Sequence, residues 1–297
     1  MRIVIAGASG LLGSALGDHL REGGHDVVRL VRRPAAAPDE SQWDPDAGTV
    51  DPAVIGSADV VVNTAGSSLL GNVHSKKWKR AVRLSRVRTT STLAEAIAKS
   101  GSRPAFLAGN GSSYYGDHAG QVVTEDSPSL GSGFLTGITR EWEAVTEPAA
   151  AAGARVCVLR TAPVAARTNP LYRIQLPLFR LGLGTRMGSG RQYTPLISLR
   201  DWVGAVAHLA EHPTASGAFN LCCPQTPTNA EFTEALAAAL HRPAFLFAPA
   251  PILRVAAGPL APEVLSSTNL RPAALVRSGY AFRDRDVRDV LAAMLRA

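Results

Sequence analysis

The chain has 297 residues, of which 46% are hydrophobic and 19% are charged, a composition typical of a folded globular protein. It contains no run of about 18 uncharged apolar residues, so we expect no transmembrane helix and no membrane partner. The first residues have the pattern of a strand and not of a secretory signal. The three cysteines (Cys157, Cys222 and Cys223) lack the spacing of a metal site or a disulfide framework, and we interpret them as small buried residues in a reducing cytoplasm.

The formal net charge of +7 is concentrated in the second half of the chain. Residues 1–150 carry 15 basic and 16 acidic residues, whereas residues 151–297 carry 16 arginines and 8 acidic residues. Eight of these arginines lie between Ala154 and Arg200, a stretch with no acidic residue. This pattern is compatible with solvated surfaces or with an anionic small-molecule substrate. Nucleic acid is the least favoured partner, because aromatic residues do not alternate with the basic ones and no nucleic-acid-binding module is visible.

The first predicted element is a short apolar strand at residues 2–6, followed by the pattern Gly7-x-x-Gly10-x-x-Gly13 and by a helix. A glycine in this turn allows backbone conformations closed to other residues, and a pyrophosphate can then contact the main chain at the positive end of the helix. A merely tight strand–helix turn is the alternative, but the order of strand, loop and helix favours a dinucleotide site. The predicted cofactor-binding residues of this loop are Gly7, Ala8, Ser9, Gly10, Leu11, Leu12 and Gly13.

The second predicted strand, residues 25–31, is followed directly by Arg32 and Arg33. In NAD-binding folds an acidic residue near this position accepts hydrogen bonds from the ribose 2′-hydroxyl, whereas guanidinium groups suit the 2′-phosphate of NADP. A solvated basic turn is the alternative interpretation of the two arginines. Together with the glycine loop, they predict that the cofactor is NADP.

The first 160 residues alternate strands with helices, which is the pattern of a parallel sheet with crossover helices. The predicted fold class is therefore α/β: a Rossmann-type doubly wound parallel sheet with a smaller C-terminal substrate-side region. Further strands are predicted at residues 58–64, 104–108 and 155–160, and helices at 79–98 and 139–152, with a kink or break at Pro148.

Beyond Thr161 the alternation is less regular. Helices are predicted near residues 200–212, from Thr228 with Glu231 closing a capping box, and at 286–295. We expect three parts: an NADP-binding Rossmann domain at 1–165, to which later segments can return, a substrate-side region at 166–242, and a small C-terminal domain of unknown function at 243–297.

Motifs spread over nearly the whole chain point to one family. They are the glycine loop, Asn63-Thr64-Ala65-Gly66, Ser85-Arg86-Val87, Tyr114-Tyr115-Gly116, Trp43-Asp44-Pro45, Trp142-Glu143, the segment from Pro177 to Gly184, Gly188-Ser189-Gly190-Arg191-Gln192, Thr228-Asn229-Ala230-Glu231-Phe232 and Gly279-Tyr280-Ala281-Phe282. Together they resemble the extended short-chain dehydrogenase/reductase superfamily. More narrowly, they resemble its atypical "epimerase family protein" branch, which is NAD-dependent epimerase/dehydratase-like and has a C-terminal domain of unknown function.

Working members of that superfamily use a Tyr-x-x-x-Lys pair, in which the lysine lowers the pKa of the tyrosine so that a phenolate can move a proton. This chain cannot contain the pair, because its lysines are residues 76, 77, 79 and 99 and its first tyrosine is Tyr114. Counted from Trp142, the resemblance places the two positions near Leu135 and Thr139, neither of which titrates. The resemblance also implies that the branch as a whole lacks the pair.

Three residues around the Tyr-Tyr-Gly motif remain as candidates for catalysis: Tyr115, Ser113 and Asn110. Tyr115 is the best remaining proton donor, and an aromatic side chain that only lines the site is the alternative. Ser113 or Asn110 is expected to face the nicotinamide. A Trp-Ile-His segment of the branch is replaced here by Pro195-Leu196-Ile197-Ser198, and Asp201 is expected at a helix start.

The resemblance further implies that Thr64, Ala65, Gly66, Arg86 and Val164 contact the cofactor, which should lie outside the carboxyl ends of the parallel strands. The predicted function is that of an NADP-binding epimerase or oxidoreductase acting on an unknown, anionic small substrate without the usual Tyr-x-x-x-Lys pair. The alternative is a non-catalytic NADP-binding sensor or scaffold.

Overall fold

The computed structural model describes residues 1–296. The first half contains β1 (Arg2–Ala6), α1 (Leu11–Glu22), β2 (Asp26–Val31), β3 (Glu40–Asp44), β4 (Thr49–Val50), α2 (Pro52–Gly56), β5 (Val60–Asn63), α3 (Lys76–Lys99), β6 (Ala105–Gly111), a 3-10 turn (Ser112–Tyr114), β7 (Val122–Val123), α4 (Phe134–Ala144), α5 (Glu147–Ala151) and β8 (Val156–Thr161). The second half contains β9 (Val164–Ala165), α6 (Pro170–Arg180), β10 (Thr185–Met187), β11 (Ile197–Ser198), α7 (Leu199–Glu211), β12 (Gly217–Leu221), α8 (Asn229–Ala239), β13 (Leu246–Ala248), α9 (Ala250–Ala257), a second 3-10 turn (Gly258–Leu260), α10 (Ala261–Leu265), β14 (Asn269–Leu270), α11 (Ala273–Arg277) and α12 (Val287–Arg296).

One eight-stranded sheet organises the molecule, in the order β12-β8-β6-β5-β1-β2-β3-β4. All neighbouring strands are parallel except β3 and β4. On β1, Ile3 pairs with Val27 of β2 on one side and with Val60 of β5 on the other. The strand order therefore reverses at β1, and in open α/β sheets a ligand binds at such a reversal, outside the carboxyl ends of the strands. The predicted doubly wound α/β fold is confirmed.

Helices cover both faces of this sheet, which explains why its central strands are apolar on both sides. Ile3, Val4 and Ile5 of β1 are fully buried. On one face, α1 and α7 pack against the sheet through side chains such as Leu16 and Trp202. On the other face, α3 contributes Leu93, Ala94 and Ile97. The sheet is thus a rigid base from whose carboxyl edge loops can project.

The helix predicted at residues 139–152 differs from the two helices observed. Helix α4 begins five residues earlier, at Phe134, because Leu135 and Ile138 are buried in an apolar cluster with Val82 of α3. It ends at Ala144, and Pro148 lies in the first turn of a separate helix, α5, where a missing backbone N–H is tolerated. Pro148 therefore marks a break and not a kink.

The later elements divide between the main sheet and a smaller layer. Strand β12 returns to the sheet beside β8, and α7 packs on its face. A separate apolar cluster joins α6, α8 and α12 through residues such as Tyr172, Phe232 and Leu291. The capping box predicted at Thr228 and Glu231 is present. Among residues 1–296, no helix is both long enough and apolar enough to cross a membrane.

Candidate functional site

The glycine loop joins β1 to α1 in a conformation that two of its glycines make possible. Gly7 has φ of +83°, and a Cβ atom there would lie 2.7 Å from the backbone nitrogen of Ala65. A Cβ atom on Gly13 would lie 2.3 Å from the carbonyl oxygen of Gly7. Gly10 is less constrained, since its Cβ would lie 3.3 Å from that same oxygen. The loop therefore holds α1 tightly against the ends of β1 and β5, as the sequence pattern predicts.

The N-terminus of α1 is uncapped and partly exposed at the carboxyl edge of the sheet. Gly10 is the N-cap residue, no side chain caps the helix, and its first turn carries no acidic residue. Ser9 and Gly10 are exposed, while Ala8, Leu11 and Leu12 are partly covered. The first backbone N–H groups of a helix have no partner within it and carry partial positive charge. This end of α1 can accept an anionic group.

The two arginines that follow β2 have different interactions in the structure. Arg33 donates two hydrogen bonds of 2.7 Å to Glu40, and this bidentate contact, helped by the backbone N–H of Ala36, lowers the pKa of Glu40 to about 2. Arg32 is exposed and forms no ion pair with any side chain in residues 1–296. Arg32 is therefore free to bind an anion beside the loop, whereas Arg33 is already held by a carboxylate.

The turn after β5 is fixed by buried hydrogen bonds. The Thr64 hydroxyl donates to the Ala6 carbonyl at 2.9 Å. The Asn63 side chain accepts from the Ala65 N–H at 3.0 Å and donates to the Thr90 hydroxyl at 2.8 Å. Thr64 and Ala65 are thereby placed opposite Gly7, so these predicted site residues lie together at the strand reversal. Asn63 positions that turn from inside the protein.

Arg86 is a largely buried cation on α3. Its guanidinium donates to the Val82 carbonyl at 3.0 Å, stacks 5.5 Å from the ring centre of Trp142, and lies close to Gly66. Within residues 1–296 it has no carboxylate partner. Burial lowers the pKa of Arg86 to about 10, so the side chain remains charged at neutral pH. Buried charges are normally paired, so this unpaired guanidinium has the chemistry to bind an anionic group.

Val164 lies near the same edge of the sheet. It follows β8 on the short strand β9, where it pairs with Ile197 of β11, and its side chain is buried. Val164 is therefore almost fully covered by protein, and its carbonyl accepts a hydrogen bond from Asn169.

Two of the three candidate catalytic residues form hydrogen bonds with buried groups of the protein. Tyr115 is fully buried, its hydroxyl donates to Asn220 at 2.7 Å and accepts from Arg160 at 2.8 Å, and burial raises its pKa to about 12. Asn110 is also buried and donates to the Thr139 carbonyl at 3.1 Å. Both side chains have their hydrogen-bonding groups engaged, which does not favour a role in proton transfer.

Ser113 has a different environment, on the 3-10 turn that follows β6. Its hydroxyl donates to the Glu263 carboxylate at 2.5 Å. Sequence reasoning missed Glu263 because it lies on α10, 150 residues away, and no spacing rule connects the two positions. The positions matched to the Tyr-x-x-x-Lys pair, Leu135 and Thr139, are buried on α4. Ser113 and Glu263 thus form a polar pair that the fold brings together after β6.

Comparison with known proteins agrees with this geometry. A family model described as the NAD dependent epimerase/dehydratase family matches residues 3–222, and one described as a domain of unknown function (DUF1731) matches residues 248–294. The epimerase family protein Mb2239 of Mycobacterium bovis is 40% identical over 290 residues, covering 97% of this chain and 96% of that protein.

Two solved structures are similar over almost the whole chain. The crystal structure of human epimerase family protein SDR39U1 with NADPH has a TM-score of 0.89 at 30% identity and covers 100% of this chain and 99% of that one. A nucleoside-diphosphate sugar epimerase from Corynebacterium glutamicum has a TM-score of 0.80 at 30% identity and covers 99% of this chain and 58% of the longer one. The predicted resemblance is confirmed, and the chain belongs to the NAD dependent epimerase/dehydratase family.

Proposed function

We propose that the protein binds NADP(H) at the strand reversal between β1 and β5. The proposal depends mainly on the uncapped N-terminus of α1, which Gly7 and Gly13 allow to pack against the turn after β5. The unpaired Arg32 follows the neighbouring strand β2. In this arrangement the loop N–H groups would hold the pyrophosphate, and Arg32 would bind the 2′-phosphate. The similarity to SDR39U1, crystallised with NADPH, supports the same assignment.

The test compares NADPH with NADH in direct binding measurements. NADPH should bind at least about tenfold more tightly, the effect of one charge-assisted contact to phosphate, and Arg32→Ala should remove most of that preference. Arg33→Ala is the matched control, because Arg33 is held by Glu40 and should matter less. Equal affinities for the two cofactors in the unmutated protein would overturn the NADP assignment.

The chemistry that fits this site is hydride transfer between the nicotinamide and a small substrate, as in an epimerase or oxidoreductase. The cofactor supplies the hydride chemistry when bound, and the protein supplies binding and proton transfer. The names of the relatives do not favour the alternative of a non-catalytic sensor or scaffold.

An anionic substrate is part of this proposal. Of the eight arginines between Ala154 and Arg200, three are engaged internally: Arg155 with backbone carbonyls, Arg160 with Glu143, and Arg200 with Asp284. The other five donate no side-chain hydrogen bond within residues 1–296, and they are Arg167, Arg173, Arg180, Arg186 and Arg191. Free cations on the substrate-side region suit a phosphorylated ligand, and the similarity to a nucleoside-diphosphate sugar epimerase makes nucleotide sugars the first class to assay.

Turnover is tested by following NADPH absorbance with a panel of nucleotide sugars and simple carbonyl compounds. Oxidation of NADPH, or epimerised product without net oxidation, would support the proposal. Bound cofactor with no turnover and no ligand-induced stabilisation across the panel would count against it.

We also propose that the chain has three parts, at residues 1–165, 166–242 and 243–297. The proposed location is the cytoplasm. The three cysteines are free and buried, as suits a reducing compartment. The return of β12 and α7 to the main sheet means that the first part is completed by later segments.

A further inference from the structure

Ser113 and Glu263 form a polar pair that joins the Rossmann sheet to the C-terminal segment. The 2.5 Å hydrogen bond between them connects the turn that follows β6 with the middle of α10. Hydrogen bonds to an ionised carboxylate are among the strong ones in proteins. The contact brings a carboxyl group to the carboxyl edge of the sheet, in a chain that lacks the tyrosine and lysine of the usual pair.

The surroundings of Glu263 suit a carboxyl that changes protonation. The packed protein around it raises the pKa of Glu263 above its ordinary 4.5, and the hydrogen bond from Ser113 opposes that rise. The residue as a whole is nevertheless exposed to solvent, so water lies within reach of α10 at this position. Several charged or titratable groups lie on the segments that contact α10 or its ends: His74, Tyr114, Asp117, Arg140, Glu141, Glu143, Arg191, Tyr193 and Arg254. Within residues 1–296, none of them forms an ion pair or a hydrogen bond with Glu263.

On the basis of the NADP(H) site proposed above, we propose that Glu263 and Ser113 form the proton-transfer pair of the reaction. In carbonyl reduction, Ser113 gives its hydroxyl proton to the substrate oxygen, and the Glu263 carboxyl passes a proton to Ser113 Oγ. The bound cofactor would supply the hydride to the substrate carbon and would be left as NADP⁺, while the π electron pair of the carbonyl forms the new O–H bond. Glu263 is left as a carboxylate, which regains its proton from water. Ser113 is then the catalytic residue, with Glu263 as the positioning and proton-storing residue behind it.

The test uses cofactor binding alone, because NADP⁺ has a positively charged nicotinamide and NADPH does not. If Glu263 lies at that end of the site, NADP⁺ should bind more tightly when Glu263 is ionised, at pH values above its raised pKa. Dissociation constants for both cofactors are measured by calorimetry from about pH 5 to about pH 9. The 2′-phosphate titrates near pH 6 in both cofactors, so its effect cancels in the ratio of the two dissociation constants. A pH dependence of that ratio therefore reports on the nicotinamide end of the site.

We expect the ratio to change by about tenfold in favour of NADP⁺ as the pH rises, as for one partly screened charge pair a few Å apart. Glu263→Gln should make the ratio independent of pH, and Glu263→Asp should restore the dependence in part. Ser113→Ala should move the midpoint to higher pH, because the bond that stabilises the carboxylate is lost. Glu234→Gln, an exposed position on α8, is the matched control and should keep the unmutated profile.

The outcomes separate this inference from the proposed function. Failure of the unmutated protein to bind either cofactor overturns the NADP(H) site itself. Tight binding with a pH-independent ratio, or a pH-dependent ratio that survives Glu263→Gln, overturns the role of Glu263. If Glu263→Gln does not fold, the midpoint shift in Ser113→Ala decides the question, and an unchanged midpoint overturns the pair.

Discussion

Gly13→Ala is the sharpest probe of how the loop holds α1. A methyl group on Gly13 would lie 2.3 Å from the Gly7 carbonyl oxygen, 2.8 Å from the Gly7 carbonyl carbon and 2.9 Å from Ala8 Cα. All three are backbone atoms, so no flexible side chain can move out of the way. An ordinary contact is about 3.4 Å or longer, and α1 must therefore shift by roughly 1 Å from the strand end.

Two opposing effects set the size of the loss in stability. Alanine is favoured over glycine inside a helix by about 1 kcal/mol, whereas overpacking costs about 1–3 kcal/mol, and rigid backbone on the other side places this case at the upper end. The net destabilisation should be about 1–2 kcal/mol, or a fall in Tm of a few degrees. A shift of the helix also lengthens the contacts from its first N–H groups, so NADPH affinity should fall about 10- to 100-fold, the worth of one or two charge-assisted hydrogen bonds.

The measurements are thermal unfolding and NADPH titration, with Gly10→Ala as the matched control. The methyl group added in this variant would lie 3.3 Å from the Gly7 carbonyl oxygen. Gly10 has φ of −84°, a value that alanine adopts freely. Gly10→Ala should therefore change the free energy of unfolding by less than about 1 kcal/mol. A Gly13→Ala protein with the Tm and NADPH affinity of the unmutated chain would refute the close packing of α1 on the loop.

Three further predictions test the buried polar groups. Tyr115→Phe should cost about 1–3 kcal/mol of stability, because it removes two buried hydrogen bonds and leaves the Asn220 side-chain oxygen without its donor. NADPH affinity in calorimetry should be unchanged; normal stability with lost affinity would instead place the hydroxyl in the site. Asp201→Asn should cost about 2–4 kcal/mol in urea unfolding, because the buried carboxylate accepts the Tyr280 hydroxyl and two backbone N–H groups. Because the pKa of Glu40 is lowered in the folded state, the stability it contributes should be complete above pH 4.5 and lost as the pH falls toward 2. If Glu40→Gln and the unmutated protein had the same acid-unfolding curve, this prediction would be wrong.

The sequence predicts best those features that depend on near neighbours. The glycine loop, the strand that precedes it and the capping box at Thr228 each follow from residues within one or two turns of chain, and the structure contains all three. The start of α4 was predicted wrongly because the apolar residues that extend it, such as Leu135, are defined by packing against α3. Periodicity within a segment cannot report a partner that lies 50 residues away.

The site shows the same limit at the level of single side chains. Arg32 and Arg33 are equivalent in sequence, and only the position of Glu40 on the neighbouring strand leaves Arg32 free. Ser113 gains its carboxylate partner from α10, which reaches the sheet edge through the packing of the C-terminal segment. A proton-transfer pair of the kind proposed, formed by residues 150 positions apart, leaves no local motif. For that reason the loss of the Tyr-x-x-x-Lys pair does not by itself argue for loss of chemistry, and the Ser113–Glu263 contact is the first place to look for what performs proton transfer.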